Sequence, residues 1–244
     1  MVTWDEENLQ RQHMPDDSKI QNGPRSAARE HEGKAPMSVI CWYCDVRPLS
    51  DPALFARGMT LLPWEERREK VMRFHFERDR RLCLGAGLLL AYALRRAGAK
   101  DLSLCCLSGG KPVLIHEPCI HFNLSHSGNL AVCAVSDQPV GADVEMWQDA
   151  DPGVAALCFR AAEREWMNAS GDNARAFAWL WTRKESYLKL TGDGLSRPPD
   201  SLCVLPGREE PMDVRYTEKE VSGHQICVCT QQNNTVTFKQ WNLC

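Results

Sequence analysis

Val140-Gly-Ala-Asp-Val-Glu-Met constrains the fold more than any other stretch of this chain. Val140, Ala142, Val144 and Met146 alternate with Gly141, Asp143 and Glu145, the two-residue period of a β-strand with one apolar face. On such a strand Asp143 and Glu145 project from the same face, about 7 Å apart at roughly 3.4 Å per residue. Carboxylates that close repel unless a cation lies between them or water screens them. Two readings are open at this point: the wet face of an amphipathic strand, or part of a divalent-cation site. Oxygen-only ligands favour Mg²⁺, which takes one or two carboxylates and completes its shell with water and substrate phosphate.

The flanking segments supply a framework. Met37 opens the folded part with a strand, Ser38 to Cys44. A basic helix-compatible segment spans Pro63 to Phe76, and a second helix spans Asp79 to Ala97, with Gly98 as its C′ residue. The apolar run inside that helix, Leu84 to Leu94, is too short to cross a bilayer and reads as buried. Short strands are predicted at 102–106, 113–115, 121–124 and 130–135, helices at 152–167 and 174–190, the latter stopped at Gly192, and strands in the tail from 201. This order predicts an α+β fold of two halves, 37–139 and 140–244, each a small, mainly antiparallel sheet packed on a long helix. Residues 1–36 are polar, without helical or strand period, and are expected to be a disordered extension.

The net charge of -3 argues against a general nucleic-acid binder, so any anion site must be local. The N-terminus lacks the basic and apolar regions of a signal peptide, and a cytoplasmic location is expected, with no membrane association. Twelve cysteines are scattered along the chain. Cys41 and Cys44 form a C-x-x-C inside a strand, where positions three apart face opposite ways and are poorly placed to share a metal.

Three further groups carry chemistry. In Phe177-Ala-Trp-Leu-Trp-Thr-Arg-Lys-Glu-Ser-Tyr-Leu-Lys, helical spacing puts Lys184 in the middle of an apolar stripe, with Glu185 and Lys189 on one border, four residues apart. A lysine so placed must snorkel outward or meet an anion. Glu185 and Lys189 also read as an ordinary surface pair. In Phe122-Asn-Leu-Ser-His-Ser-Gly, adjacent Ser125 and His126 face opposite ways on a strand, and no G-x-S-x-G elbow surrounds the serine. Hydroxyl and imidazole donors there suit phosphate oxygens, and a capped turn is the structural alternative. Arg67, Lys70, Arg81 and Lys111 are dispersed cations whose value depends on converging.

These pieces, in this order, resemble the Sfp-type 4′-phosphopantetheinyl transferases. The match starts at Cys44-Asp-Val-Arg-Pro-Leu-Ser and continues through Arg81-Leu-Cys-Leu-Gly, Gly110-Lys-Pro, Phe122-Asn-Leu-Ser-His-Ser, Gly141-Ala-Asp-Val-Glu and Trp181-Thr-Arg-Lys-Glu-Ser-Tyr-Leu-Lys, closing with Gly192-Asp-Gly-Leu-Ser. The resemblance implies a pseudo-twofold pair of α+β halves with coenzyme A between them. It implies transfer of phosphopantetheine to a serine of an apo acyl- or peptidyl-carrier protein. A chain whose two halves build one site has no need to dimerise, so a monomer is expected. By position, Asp143, Glu145 and Glu185 would hold Mg²⁺, or Mn²⁺, on the pyrophosphate, and Lys189 and Lys184 would face the phosphates. Glu185 would act as base and Lys189 would assist the leaving group. Arg81 and His126 would engage the 3′-phosphate. Ser125 and Lys111, with Gly110 and Pro112, would line the nucleotide site, and Arg67 and Lys70 would add basic contacts.

Two readings compete with a transferase. A non-catalytic coenzyme A or nucleotide binder of the same fold predicts loss of an acidic ligand or of the helix lysines, all of which are present. A hydrolase working through Ser125 and His126 predicts indifference to chelator.

Overall fold

Two long helices and the sheets beneath them set the architecture. The computed structural model describes residues 38–107, 110–148, 151–192, 197–207, 213–231 and 234–243. The expected N-terminal extension, the Ser108-Gly109 turn and residues 193–196 of the last motif lie outside them. In chain order the elements are β1 (Ser38–Asp45), α1 (Pro52–Leu61), α2 (Glu65–Arg73), α3 (Glu77–Arg96), β2 (Leu104–Cys106), β3 (Pro112–Leu114), β4 (His121–Ser127), β5 (Leu130–Ser136) and β6 (Val140–Met146). They continue with α4 (Pro152–Cys158), α5 (Ala161–Ala169), α6 (Asn173–Thr191), β7 (Val214–Val221), β8 (His224–Gln231) and β9 (Thr235–Gln240).

One sheet has the order β4-β5-β1-β9, another the order β6-β8-β7, and β2-β3 is a separate pair. Every pairing is antiparallel except that of β1 with β9. α3 covers one face of the first sheet, burying Leu84, Leu89, Leu90 and Leu94 against Trp42, Cys44, Ala131 and Cys133. α6 covers β6 and β8 of the second. The remaining faces meet each other: Val39, Cys41, Leu130, Val132 and Ala134 pack with Val140, Ala142, Val144, Ile226 and Val228. Fully burying one such Val, Leu or Ile contributes about 1.5–3 kcal/mol, so this shared layer holds the two sheets together. The result is α+β, four layers deep: helix, sheet, sheet, helix.

β1 is apolar at successive positions because both of its faces are covered. Cys41 consequently enters the inter-sheet core and Cys44 the α3 core. Burial pushes both thiols up to about 12.

Several elements differ from expectation. The helix predicted at 152–167 is two helices, because Phe159 leaves helical geometry and buries its ring 5.3 Å from that of Phe177. Arg160 then starts α5, its N–H donating to Glu163 at 2.8 Å. α1 was not anticipated, although Asp51 and Pro52 mark its start: the Asp51 carboxylate accepts from the N–H groups of Ala53 and Leu54. β9 leaves the C-terminal half to join β1, so a cut at 139 does not divide the sheets. Gly98 and Gly192, at φ +94° and +80°, end α3 and α6 as the sequence predicts. Among the described residues no helix is long and apolar enough to cross a membrane.

Candidate active site

The site is built where β6 touches α6. A Cβ at Gly141 would overlap the Ser186 carbonyl oxygen and lie 2.6 Å from the Leu190 nitrogen, so only glycine lets the strand approach this close. Asp143, two residues on along the same strand face, is thereby brought beneath the last turns of α6. The edge of the other sheet closes the site from the side. Asn123, Ser125 and Ser127, alternate residues of β4, bond respectively to the Ala142 N–H at 2.9 Å, Asp143 at 2.6 Å and Glu145 at 3.1 Å. Sequence reasoning missed Asn123 and Ser127, although their two-residue spacing with Ser125 was visible.

The carboxylates gather around Lys189. Its Nζ donates to Asp143 Oδ1 at 2.6 Å and to Ser125 Oγ at 3.2 Å, and stands 4.0 Å from Glu185 Oε2. Ser125 Oγ also donates to Asp143 Oδ1, while Asp143 Oδ2 is buried without a partner. Burial tends to neutralise Lys189, but Asp143, Glu185 and Glu145 outweigh it and hold the ammonium charged, its pKa raised. Burial, then Asp143, pushes Glu145 up to about 7 against the Ser127 hydrogen bond and Lys189. Glu185 is likewise raised, by burial and then by Asp143, with Lys189 opposing. Among the described residues no three His, Cys, Asp or Glu side chains are arranged to hold a metal ion as they stand.

A second cluster is cationic. His126, part-buried on β4, has its pKa pushed down to about 4 by burial and then by the charges of Arg67, Lys189 and Lys70, with its own backbone bond opposing. The imidazole thus feels the charge of all three cations. Arg67 runs close over Gly87 of α3, where a Cβ would stand 2.7 Å from Arg67 Nε. That nitrogen is buried and unpartnered. Arg81, at the start of α3, faces Glu77 one turn earlier at 3.6 Å. Lys111, between Gly110 and Pro112, donates to the Lys189 carbonyl at 2.6 Å and so ties the β2–β3 hairpin to the end of α6. Ser125, expected to line a nucleotide site, instead spends its hydroxyl on Asp143 and Lys189.

His126 yields a pH prediction. Its folded pKa lies below the ordinary 6.5, so the folded protein binds fewer protons than the unfolded chain between 6.5 and about 4. This group's contribution to stability therefore falls as the pH falls through that window. A bound polyanion should neutralise the neighbouring cations and raise the His126 pKa. NMR titration of the imidazole protons with and without 3′,5′-ADP checks this; an unchanged pKa would separate His126 from the anion site.

Lys184 requires a correction. It does not face the site: it is fully buried with Glu163, 2.8 Å away, and donates to the carbonyls of Pro199, at 2.9 Å, and Leu202. Its three N–H donors are thus used in the fold. The anion that an apolar-stripe lysine must meet is Glu163, a residue the sequence did not single out, which also accepts from the Val204 N–H at 2.9 Å. Breaking a buried pair leaves an uncompensated charge, so Lys184→Ala is expected to cost about 3–5 kcal/mol in urea unfolding. The double replacement Lys184→Met with Glu163→Leu should cost less. Normal stability of Lys184→Ala combined with weakened coenzyme A binding would return Lys184 to the phosphates.

Comparison with known proteins places the chain. Residues 139–240 match the family model for the 4′-phosphopantetheinyl transferase superfamily, and residues 50–138 match that for the 4′-phosphopantetheinyl transferase N-terminal region. The chain is 31% identical over 209 residues to the 4′-phosphopantetheinyl transferase Sfp of Bacillus subtilis (strain 168), covering 79% of this chain and 92% of that protein. It is 32% identical over 205 residues to the 4′-phosphopantetheinyl transferase psf-1 of Bacillus pumilus, covering 77% and 88%. With HetI of Nostoc sp. (strain PCC 7120 / SAG 25.82 / UTEX 2576), also a 4′-phosphopantetheinyl transferase, identity is 32% over 161 residues, 62% of this chain and 68% of that one. The chain belongs to the 4′-phosphopantetheinyl transferase family, in agreement with the motif resemblance, and is a transferase.

Proposed function

We propose that this chain moves the 4′-phosphopantetheine moiety of coenzyme A onto a serine hydroxyl of an apo acyl- or peptidyl-carrier protein, releasing 3′,5′-ADP. In a chain of this family, the observation that carries the site assignment is the convergence of Asp143 and Glu185, from a strand and a helix, on one ammonium. Asp143, Glu145 and Glu185 would hold Mg²⁺, with Mn²⁺ an alternative. The donor set fits: all ligands are oxygens, three acids outweigh one lysine, and Asp143 Oδ2 is buried with no partner. When bound, the ion would supply positive charge beside the pyrophosphate.

The chain's own groups account for the remainder. The carrier serine oxygen forms a bond to the β-phosphorus as the bond from that phosphorus to the bridging oxygen breaks, and the electron pair leaves with 3′,5′-ADP. Glu185 accepts the hydroxyl proton, and its raised pKa brings it closer to the working range of a general base. Lys189, held charged, donates to the departing phosphate. Arg67, Lys70 and neutral His126 hold the other phosphates, Gly110, Lys111 and Pro112 border the nucleotide, and Arg81 extends the cationic rim. Positioning and charge stabilisation carry most of the rate.

We read the enzyme as a cytoplasmic monomer that engages neither membrane nor nucleic acid. All described cysteines are free thiols, as suits a reducing compartment. The site's groups come from one chain, and the net charge is -3. Mass spectrometry of a panel of apo carriers incubated with coenzyme A and Mg²⁺ tests the reading. Gain of one phosphopantetheine on a carrier serine, lost with EDTA, is expected; labelling indifferent to EDTA would remove the metal assignment.

A further inference from the structure

We propose that Lys189 is a built-in counter-ion that occupies the cation position of the acidic site before a divalent ion arrives, and that the ion's arrival hands its ammonium to the substrate pyrophosphate. This rests on Asp143, Glu145 and Glu185 being metal ligands. A buried carboxylate, Asp143, with part-buried Glu145 and Glu185 near it, is costly without positive charge among them. Lys189 supplies it from one turn beyond Glu185, with Nζ 2.6 Å from Asp143 and 4.0 Å from Glu185.

The contacts are arranged for exchange. Ser125 and Lys189 both bond to Asp143 Oδ1, while Oδ2 is left bare. Asp143 thus keeps one buried oxygen that no existing bond occupies and that an ion could take as the ammonium swings out. Lys111 pins the carbonyl of Lys189 at 2.6 Å, so the backbone stays in place and the flexible four-carbon stem alone has to move. Leaving Asp143 frees the ammonium for an anion. Conversely, an anion that draws the ammonium away uncovers the acids. Divalent ion and coenzyme A should therefore bind with positive coupling that is equal in both directions.

Mn²⁺ binding, followed by electron paramagnetic resonance of the free ion, tests this on the full chain. Without coenzyme A, Lys189→Met should bind Mn²⁺ about tenfold tighter than the native protein, within the range of ordinary site coupling. The enhancement of Mn²⁺ affinity by coenzyme A should shrink by a similar factor. Equal or weaker Mn²⁺ binding by Lys189→Met overturns the counter-ion role and leaves the ligand assignment standing. Absence of Mn²⁺ binding by both proteins, with or without coenzyme A, overturns the ligand assignment and this proposal together. A crystal of the native protein soaked in Mg²⁺ gives a second readout independent of the variant's folding. Nζ should have left hydrogen-bond distance of Asp143, and an ammonium still bonded there beside a bound ion overturns the proposal.

Discussion

Asp143→Asn leaves a folded protein that labels carriers roughly a thousandfold more slowly, the scale of losing one preorganised electrostatic group or more. The asparagine oxygen can still accept from Ser125 and Lys189, which lie 2.6 Å from Asp143 Oδ1, so the hydrogen bonds that join β4, β6 and α6 survive. What disappears is the charge, and with it the ability to hold a divalent ion beside the pyrophosphate. Glu185→Gln should behave the same way, losing labelling through loss of both a ligand and the base. Labelling rates by mass spectrometry, set beside the urea midpoint, separate chemistry from folding. Near-native labelling by either variant would dissolve the acidic site, whatever the motifs suggest.

Gly141→Val should fail to give a cooperatively folded protein, and Gly141→Ala should lose more than about 4 kcal/mol, beyond what most single substitutions cost. The first added carbon would overlap a backbone carbonyl of α6, and backbone held in a helix cannot step aside as a side-chain tip can. β6 would have to lift off the helix, crowding the layer that Val140, Ala142 and Val144 share with the other sheet and drawing Asp143 away from Lys189. Gly153→Ala in α4 is the control: there the new carbon lies 3.1 Å from the Asp151 Oδ1 atom alone, and helix propensity favours alanine. Urea unfolding of both alanine variants measures the contrast. Equal stabilities would show that the strand–helix approach is not tight.

Most of the elements were legible because their signals are local. β6 follows its alternating pattern from Val140 to Met146, and α6 ends where Gly192 supplies a positive φ. The opposite facing of Cys41 and Cys44 follows from strand geometry alone. α1 is announced by Asp51-Pro52, whereas the break within 152–167 depends on Phe159 finding Phe177, a contact that no local pattern carries. Of the site, the acids and Lys189 were readable as types at telling spacings. Ser127, Asn123 and Glu163 were not, since each matters only through a partner on another element.

The sequence by itself determined which residues share a strand or helix face: Asp143 with Glu145, Glu185 with Lys189, and Lys184 inside an apolar stripe. The periods of strand and helix enforce those groupings whatever surrounds them. Tertiary structure alone decided which faces meet. It sent Lys184 to Glu163 rather than to a phosphate, and Lys189 to Asp143. It also carried the last strand back beside the first. Such choices depend on burial and charge summed over segments far apart in the chain, and no short stretch of sequence contains that sum.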